Sequence, residues 1–192
     1  SPDQHFQNIE NNLVEAKKNG IISNVYLEDW SNGMKTSLDY VLDFLDFLVA
    51  QPLKRILLPD TLGILTPTET KQYLSKIIKR YPKQHFDFHG HNDYDLGVAN
   101  TLEAVKSGVH GLHLTVNGMG ERAGNASLAS VISVLNDFVP SKKINADVRQ
   151  PASVNIKTQR TVTRGRLILP GSCTIFSREK KSTAVLFRFG DA

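Results

Sequence analysis

The feature that most constrains the fold is a repeat of about 30 residues, in which a short apolar run ends in polar residues and a helix-like stretch follows. The polar ends of four such runs fall near residues 28, 60, 90 and 119. Short buried strands that alternate with helices form parallel sheets with right-handed crossovers, so the repeat predicts an α/β fold. In such folds the active site lies at the carboxyl ends of the strands, where these polar residues fall.

The spacing of the apolar residues predicts where each element begins and ends. Helical spacing indicates five helices, at about residues 3–19, 37–50, 67–80, 96–107 and 126–138. The apolar runs between them indicate four strands, at residues 21–27, 55–58, 85–88 and 111–116. Because a complete (β/α)8 barrel needs about 250 residues, four units over residues 1–140 predict half of a TIM-barrel-type fold.

A change of charge near Pro140 predicts a domain boundary. Residues 1–140 contain 12 lysines and arginines against 16 aspartates and glutamates, whereas residues 141–192 contain 11 against 3. The net charge of +4 therefore describes the tail rather than the body of the chain. We expect a folded domain over residues 1–140 and a basic tail over residues 141–192 that is irregular or β-prone.

The cysteine content and the hydropathy indicate a cellular compartment. Cys173 is the only cysteine, which excludes an internal disulfide and is typical of a reducing environment. No basic and apolar leader opens the sequence, and no apolar run approaches the length that spans a membrane. We therefore expect a soluble, cytoplasmic protein that has no membrane partner.

A His-x-His motif at the end of the third predicted strand indicates a metal site. His89 and His91 are two residues apart, and side chains at this spacing on a strand lie on the same face. Two imidazoles on one face can bind a single divalent cation, and Asp93 is close enough in sequence to orient a ligand. The motif alone is equally compatible with two polar side chains at the mouth of a loop.

Four strand-end motifs together resemble the 2-isopropylmalate synthase and citramalate synthase family. They are Val25-Tyr-Leu-Glu-Asp-Trp, Leu58-Pro-Asp-Thr-Leu-Gly, Phe88-His-Gly-His-Asn-Asp-Tyr and Gly118-Met-Gly-Glu-Arg-Ala-Gly-Asn. The resemblance covers residues 1–140 and implies the second half of a metal-dependent TIM-barrel catalytic domain. It implies a transferase that condenses acetyl-CoA with a 2-oxoacid, either 2-oxoisovalerate or pyruvate, in leucine or isoleucine biosynthesis. The full-length enzymes of this family are homodimers.

The resemblance implies metal-binding roles for three of these residues. His89 and His91 would be metal ligands, and Asn125 would complete the protein ligands. Imidazole and oxygen donors suit Zn, Mn, Mg or Co. The metal would polarise the carbonyl group of the 2-oxoacid as a Lewis acid.

Three further residues are implied to act on the substrates. Glu28 would be a catalytic acid near the reacting carbon, although it could be an ordinary loop carboxylate. Tyr26 resembles the residue that walls the oxoacid pocket in citramalate-type members, although a buried strand aromatic is almost as common. Thr61 would donate a hydrogen bond to the oxoacid carboxylate, although it could simply cap the following turn. By contrast, we expect His113 to be structural, because it lies within the fourth predicted strand.

The sequence departs from the family pattern in two ways. The family's first barrel strand supplies an aspartate that binds the metal and an arginine that holds the oxoacid, and no segment before Ser1 supplies them here. The family also follows its barrel with a linker that contributes a histidine and a tyrosine, and residues 141–192 contain neither. We therefore expect the chain by itself to be an inactive fragment of the enzyme.

Two other functions fit parts of the sequence. One is a carbon–carbon lyase or aldolase of the same superfamily, but those lyases carry a cysteine in a glycine-rich loop, and residues 117–125 contain none. The other is a non-catalytic module that binds nucleic acid through its basic tail, where Arg178, Lys180 and Arg188 are interleaved with phenylalanines. Nucleic acid is the less expected partner, since the tail shows no clean alternation.

Overall fold

The computed structural model describes residues 2–139 and the backbone of residues 182–188. The described residues form helices α1 to α6 and strands β1 to β5. In chain order the elements are α1 (Pro2–Lys18), β1 (Ile22–Glu28), α2 (Trp30–Thr36), α3 (Leu38–Val49), β2 (Leu53–Asp60), α4 (Pro67–Arg80), β3 (Phe86–Gly90), α5 (Gly97–Ser107), β4 (Gly111–His113), α6 (Leu128–Phe138) and β5 (Ser182–Arg188). None of the helices in this described part is long and apolar enough to cross a bilayer.

The strands form one parallel sheet in the order β4-β3-β2-β1-β5. In its register Tyr26 pairs with Leu57, Leu58 with Phe88, and His89 with His113. The four strands β1 to β4 each precede a helix, which confirms the predicted run of βα units. Strand β5 continues the sheet beyond β1, and the rest of the predicted basic tail lies outside the described residues.

The two faces of the sheet differ because side chains alternate along each strand. On β1 and β3, Val25, Leu27, Phe86 and Phe88 are buried and belong to one apolar core with the helices. Complete burial of each such side chain contributes about 1.5–3 kcal/mol to folding. The alternate positions of β1 and β3 carry Tyr26, Glu28, Asp87 and His89 on the other face of the sheet, where β2 contributes Arg55 and Leu57.

Helix α4 begins where the sequence predicts, for identifiable reasons. Pro67 occupies the first turn, and Thr66 and Glu69 form a capping box in which each side chain accepts a hydrogen bond from the other residue's backbone N–H group. These bonds satisfy two amides that a helix start leaves without partners.

Several elements differ from the prediction: β2 is longer, at Leu53–Asp60, one helix is additional, and the bounds of β4 and α6 are shifted. Helix α2 was not predicted, since Asn32 and Gly33 are poor helix formers; close packing of Gly33 against Val41 joins α2 to α3. Strand β4 ends at His113 rather than at residue 116, because Thr115 instead pairs with Ser127 in an isolated parallel bridge. That bridge also delays the start of α6 to Leu128.

Candidate metal site at the carboxyl edge of the sheet

The structure brings the predicted site residues to one edge of the sheet. Glu28 ends β1, and its Oε2 accepts a hydrogen bond of 3.0 Å from the hydroxyl of Thr61, just beyond β2. His91 follows β3 and pairs in an antiparallel bridge with Asn125, from the glycine-rich loop after β4. The amide of His91 also donates to the carbonyl of Asp60 at 3.4 Å. The ends of all four strands thus meet here, as parallel pairing requires.

The two histidines of the His-x-His motif converge on each other. Their Nε2 atoms lie 3.3 Å apart, and the two rings meet at 83°. The Nδ1 atom of His89 lies 3.1 Å from the carbonyl oxygen of His113, and a carbonyl oxygen only accepts, so Nδ1 carries the proton. The Nε2 lone pair of His89 is therefore left to face His91, as in metal-binding histidines whose other nitrogen donates to a backbone carbonyl.

Burial keeps both imidazoles in the neutral form that binds metals. It lowers the pKa of His89 to about 4. Burial, together with the nearby Arg122 guanidinium, also lowers the pKa of His91. At neutral pH neither ring is protonated on both nitrogens, so a divalent cation need not displace a proton from a charged imidazole.

Asn125, whose backbone is bridged to that of His91, has a buried side-chain oxygen. Its Nδ2 atom donates to the carbonyl of Met119 at 3.4 Å, while its Oδ1 atom is buried and has no hydrogen-bond partner within the described residues. A side chain on Gly120 would collide with this amide, because a Cβ there would lie 2.4 Å from Nδ2. Imidazole nitrogens and an amide oxygen are of the kinds that bind a divalent cation with mixed nitrogen and oxygen ligands.

Carboxylates are absent from this ligand set. In the part of the chain that the structure describes, no three His, Cys, Asp or Glu side chains converge to hold a metal. Asp60 lies at the same edge, but its oxygens accept from the amides of Ile64 and Leu65 at 3.1 Å each. Asp93, predicted to orient a ligand, accepts instead from Arg122, at 2.6 Å from Nε and 2.8 Å from a terminal nitrogen.

Arg122 fastens the glycine-rich loop over the site. Besides its two hydrogen bonds to Asp93, it donates a hydrogen bond to the carbonyl of Thr61 at 2.7 Å. Its backbone is left-handed, with φ of 55°, which is uncommon for a residue with a side chain. The contact of Arg122 with its neighbour Glu121 is longer, at 3.6 Å, and Glu121 is largely exposed. The long-range bonds to Asp93 and Thr61 therefore hold this loop.

Thr61 holds Glu28 in place. Its hydroxyl accepts from the amide of Asp29 at 2.9 Å and donates its single proton to Glu28. A donation from Thr61 to an oxoacid carboxylate stays a prediction, and it would require this proton to turn away from Glu28. The catalytic role of Glu28 likewise stays a prediction.

Tyr26 and His113 form a pair that the sequence did not reveal. The Tyr26 hydroxyl lies 2.8 Å from His113 Nδ1, and His113 Nε2 lies 3.3 Å from Asp87 Oδ2. Burial, and then the charges of Asp87 and Glu28, raise the pKa of Tyr26, so its hydroxyl keeps its proton. Burial alone would raise the pKa of Asp87, but His113, His85 and Arg55 outweigh it and lower that pKa. Only the register of β3 against β4 could have indicated this network.

These features define a class of protein: a parallel βα domain of barrel type with a histidine-pair site at the carboxyl ends of its strands. The chain belongs to the HMGL-like family, whose family model matches residues 1–164. The match extends beyond Pro140, the residue near which the charge of the sequence changes. The predicted resemblance to the 2-isopropylmalate synthases is confirmed by their presence among the curated relatives.

Two curated relatives illustrate the similarity. A probable 2-isopropylmalate synthase of Ignicoccus hospitalis is 36% identical over 120 residues, which are 62% of this chain and 29% of the relative. A homocitrate synthase of Sulfurisphaera tokodaii is 35% identical over 127 residues, which are 66% of this chain and 27% of the relative. The chain thus spans under a third of the length of these enzymes.

A solved structure shows the same fold. The hydroxymethylglutaryl-CoA lyase of Pseudomonas aeruginosa superposes with a TM-score of 0.59 over 70% of this chain and 48% of the lyase. At 18% identity this likeness concerns the fold alone. It confirms the predicted TIM-barrel-type architecture, of which β1 to β4 form a part.

Proposed function

We propose that this chain provides part of the catalytic barrel of an acyltransferase that condenses acetyl-CoA with a 2-oxoacid to a 2-alkylmalate. The observation that carries the proposal is the pair of His89 and His91 Nε2 atoms, 3.3 Å apart, on the edge that also holds Glu28 and Thr61. The names of the two synthase relatives support this reaction class. A cytoplasmic location, a role in branched-chain amino-acid synthesis and a homodimeric full-length enzyme fit the same proposal.

His89, His91 and Asn125 are the residues that would hold the divalent cation. When bound, the cation supplies Lewis-acid polarisation of the oxoacid carbonyl. The His89 Nδ1–H group, anchored on the His113 carbonyl, keeps the ring turned so that Nε2 faces the site. The Arg122 bonds keep the loop that carries Asn125 closed against the ends of β2 and β3.

Glu28 acts at the reacting carbon in this proposal. Its carboxylate is fixed by the Thr61 hydroxyl on the same edge as the imidazoles. A carboxylate fixed in this way can hold or accept a proton without reorganising as charge develops. The Thr61 hydroxyl then donates its hydrogen bond either to Glu28 or, after it rotates, to the carboxylate of the bound oxoacid.

The position of Tyr26 supports the smaller oxoacid as the substrate. Tyr26 lies two residues before Glu28, on the same face of β1, and its hydroxyl is tied to His113. A bulky ring held there narrows the space beside the metal ligands. We therefore propose pyruvate as the preferred substrate and 2-oxoisovalerate as the poorer one.

Thiol release from acetyl-CoA tests the proposal directly. The assay uses residues 1–139 within the complete barrel, with pyruvate and with 2-oxoisovalerate. Release with either oxoacid, lost in His91→Ala and kept in the control His110→Ala, is the expected result. His110 is a suitable control because its Nδ1 accepts from the Phe86 amide, away from the site. Absence of release with both oxoacids would overturn the assignment.

The lyase alternative has a separate test. Cleavage of a 3-hydroxy-3-methylacyl-CoA by the same complete barrel would support it, although residues 117–125 contain no cysteine. The nucleic-acid alternative depends on the basic tail, which lies outside the described residues except for β5.

A further inference from the structure

His113 touches both parts of the candidate site, yet the proposed reaction gives its side chain no role. Its imidazole lies 2.8 Å from the Tyr26 hydroxyl and 3.3 Å from Asp87, while its backbone carbonyl accepts from His89 at 3.1 Å. Its side chain is only 11% exposed. One residue of β4 thus contacts Tyr26, the proposed wall of the oxoacid pocket, and His89, a proposed metal ligand.

The partners of His113 fix its tautomer. The carboxylate of Asp87 only accepts hydrogen bonds, so His113 Nε2 carries the proton and donates it to Asp87. In the neutral ring Nδ1 is then an acceptor, and the Tyr26 hydroxyl is the donor. The bonds run in one direction, from Tyr26 through His113 to Asp87.

Asp87 is a rigid end point for this chain of hydrogen bonds. Its side chain is 1% exposed and also accepts from His85 Nε2 at 2.8 Å and from Arg55 at 3.3 Å. Strand β4 approaches it closely, since a Cβ on Gly111 would lie 2.3 Å from Asp87 Oδ1. Asp87 is therefore held from several sides, and it in turn holds the His113 ring.

We propose that His113 is a positioning residue that fixes the Tyr26 ring relative to His89 and thereby sets the size of the oxoacid that the site accepts. This inference rests on the proposed condensation. If Nδ1 is removed, the half-buried Tyr26 hydroxyl loses its acceptor and the ring can turn out of the pocket. The site then discriminates less well against a branched oxoacid, whereas the metal ligands stay in place because the carbonyl of residue 113 remains.

Two variants, in which an amide side chain replaces His113, distinguish this positioning role from a merely structural one. In His113→Asn, the amide oxygen lies the same number of bonds from Cα as Nδ1, so it can still accept from Tyr26. In His113→Gln, the amide nitrogen lies the same number of bonds from Cα as Nε2, so the bond to Asp87 is kept and the acceptor for Tyr26 is lost. The variant Tyr26→Phe removes the hydroxyl alone.

The test measures kcat/KM for pyruvate and for 2-oxoisovalerate in the complete enzyme. The ratio of the two constants should fall about tenfold in His113→Gln and in Tyr26→Phe, and stay within about twofold in His113→Asn. In the double variant His113→Gln/Tyr26→Phe the ratio should fall no further than in either single variant, because both changes remove the same hydrogen bond. Equal losses in the Asn and Gln variants, or additive losses in the double variant, would overturn the proposal.

Two measurements separate this inference from the proposed reaction. Zinc affinity by calorimetry should be unchanged within about threefold in all the variants, and a His113→Gln enzyme that also loses zinc would show a structural role instead. Nitrogen-15 spectra of histidine-labelled protein, with the His113 signals identified from their loss in His113→Asn, should show a protonated Nε2 and a bare Nδ1. A protonated Nδ1 would overturn the inference even if condensation is observed. If the enzyme is inactive on both oxoacids but His113 shows the expected tautomer, the hydrogen bond is intact and only the proposed reaction is refuted.

Discussion

The Nε2 atoms of His89 and His91 lie 3.3 Å apart, on rings that meet almost at a right angle. Because His89 donates through Nδ1, two bare Nε2 lone pairs would repel each other at this distance unless a proton or a cation lay between them. A proton on His91 Nε2 meets this requirement as a hydrogen bond to His89, and in the proposed site a cation would take its place.

This ligand set predicts weak metal binding by the 192-residue chain alone. The predicted ligands are two imidazoles and a neutral amide, and among the described residues no carboxylate joins the two imidazoles to form a cluster. Attraction between an anionic ligand and a divalent cation is strong in a partly dry pocket, and even the loss of an outer partner costs about 10–100-fold in affinity. We expect dissociation constants for zinc and manganese above micromolar by calorimetry.

The matched variants are His91→Ala, which removes one imidazole, and His110→Ala, which leaves the pair untouched. Only the first should weaken the remaining affinity. Submicromolar binding that disappears in His91→Ala would show that these residues suffice by themselves, contrary to the prediction.

The loop that carries Asn125 depends on Arg122. In Arg122→Lys the charge stays, but one ammonium group cannot reproduce the two hydrogen bonds to Asp93 together with the hydrogen bond to the Thr61 carbonyl. We expect faster amide hydrogen exchange at residues 118–125. The free energy of unfolding should change by less than about 1 kcal/mol, since the ion pair is partly exposed.

Lys106→Gln is the control for this prediction. It removes an exposed ion pair with Glu103 on α5, and exchange at residues 118–125 should not change. If exchange in Arg122→Lys matched that of the wild type, the loop would owe its order to other contacts.

The sequence predicted the meeting of the site residues because strand ends of a parallel sheet must share one edge. It also predicted the strands, whose apolar and polar residues alternate clearly from residue 86 to 89. The contacts of His113 could not be predicted, since they depend on the pairing of His89 with His113 across two strands. Nor could the partner of Asp93, because Arg122 lies 29 positions further along the chain. Local periodicity carries no information about such contacts.

Helix α4 should stabilise the protein in a pH-dependent way through Glu69. The Thr66 amide, and then Lys35, lower the pKa of Glu69 against the effect of burial. A lowered pKa means that the folded state favours the carboxylate, so this stability is present above the ordinary glutamate pKa of 4.5 and is lost as the pH falls through the lowered value.

The variant Glu69→Gln removes the charge and keeps an acceptor for the capping box. We expect it to be less stable by about 0.5–1 kcal/mol at pH 7 and equal to the wild type at about pH 2, as measured by urea unfolding. Thr66→Ala serves as the comparison, because it removes a cap whose hydroxyl does not titrate. A Glu69→Gln deficit that persists at the lower pH would assign the effect to packing rather than to charge.

Gly111 is a position where a single methyl group should disturb the hydrogen bonds of Asp87. A Cβ there would lie 2.3 Å from Asp87 Oδ1 and 2.7 Å from its carboxyl carbon, and Asp87 cannot retreat because His85 and Arg55 hold it. We expect Gly111→Ala to reduce the free energy of unfolding by about 1–3 kcal/mol, the range for overpacking a buried site. It should also reduce the preference for pyruvate, since the displaced carboxylate no longer orients His113.

Gly20→Asn is the matched control. No atom lies within 4 Å of a Cβ at Gly20, its φ is 66°, and asparagine tolerates this conformation, so the free energy of unfolding in urea should change little. A Gly111→Ala protein as stable and as selective as the wild type would show that β4 can move away from Asp87 and that the network is not rigid.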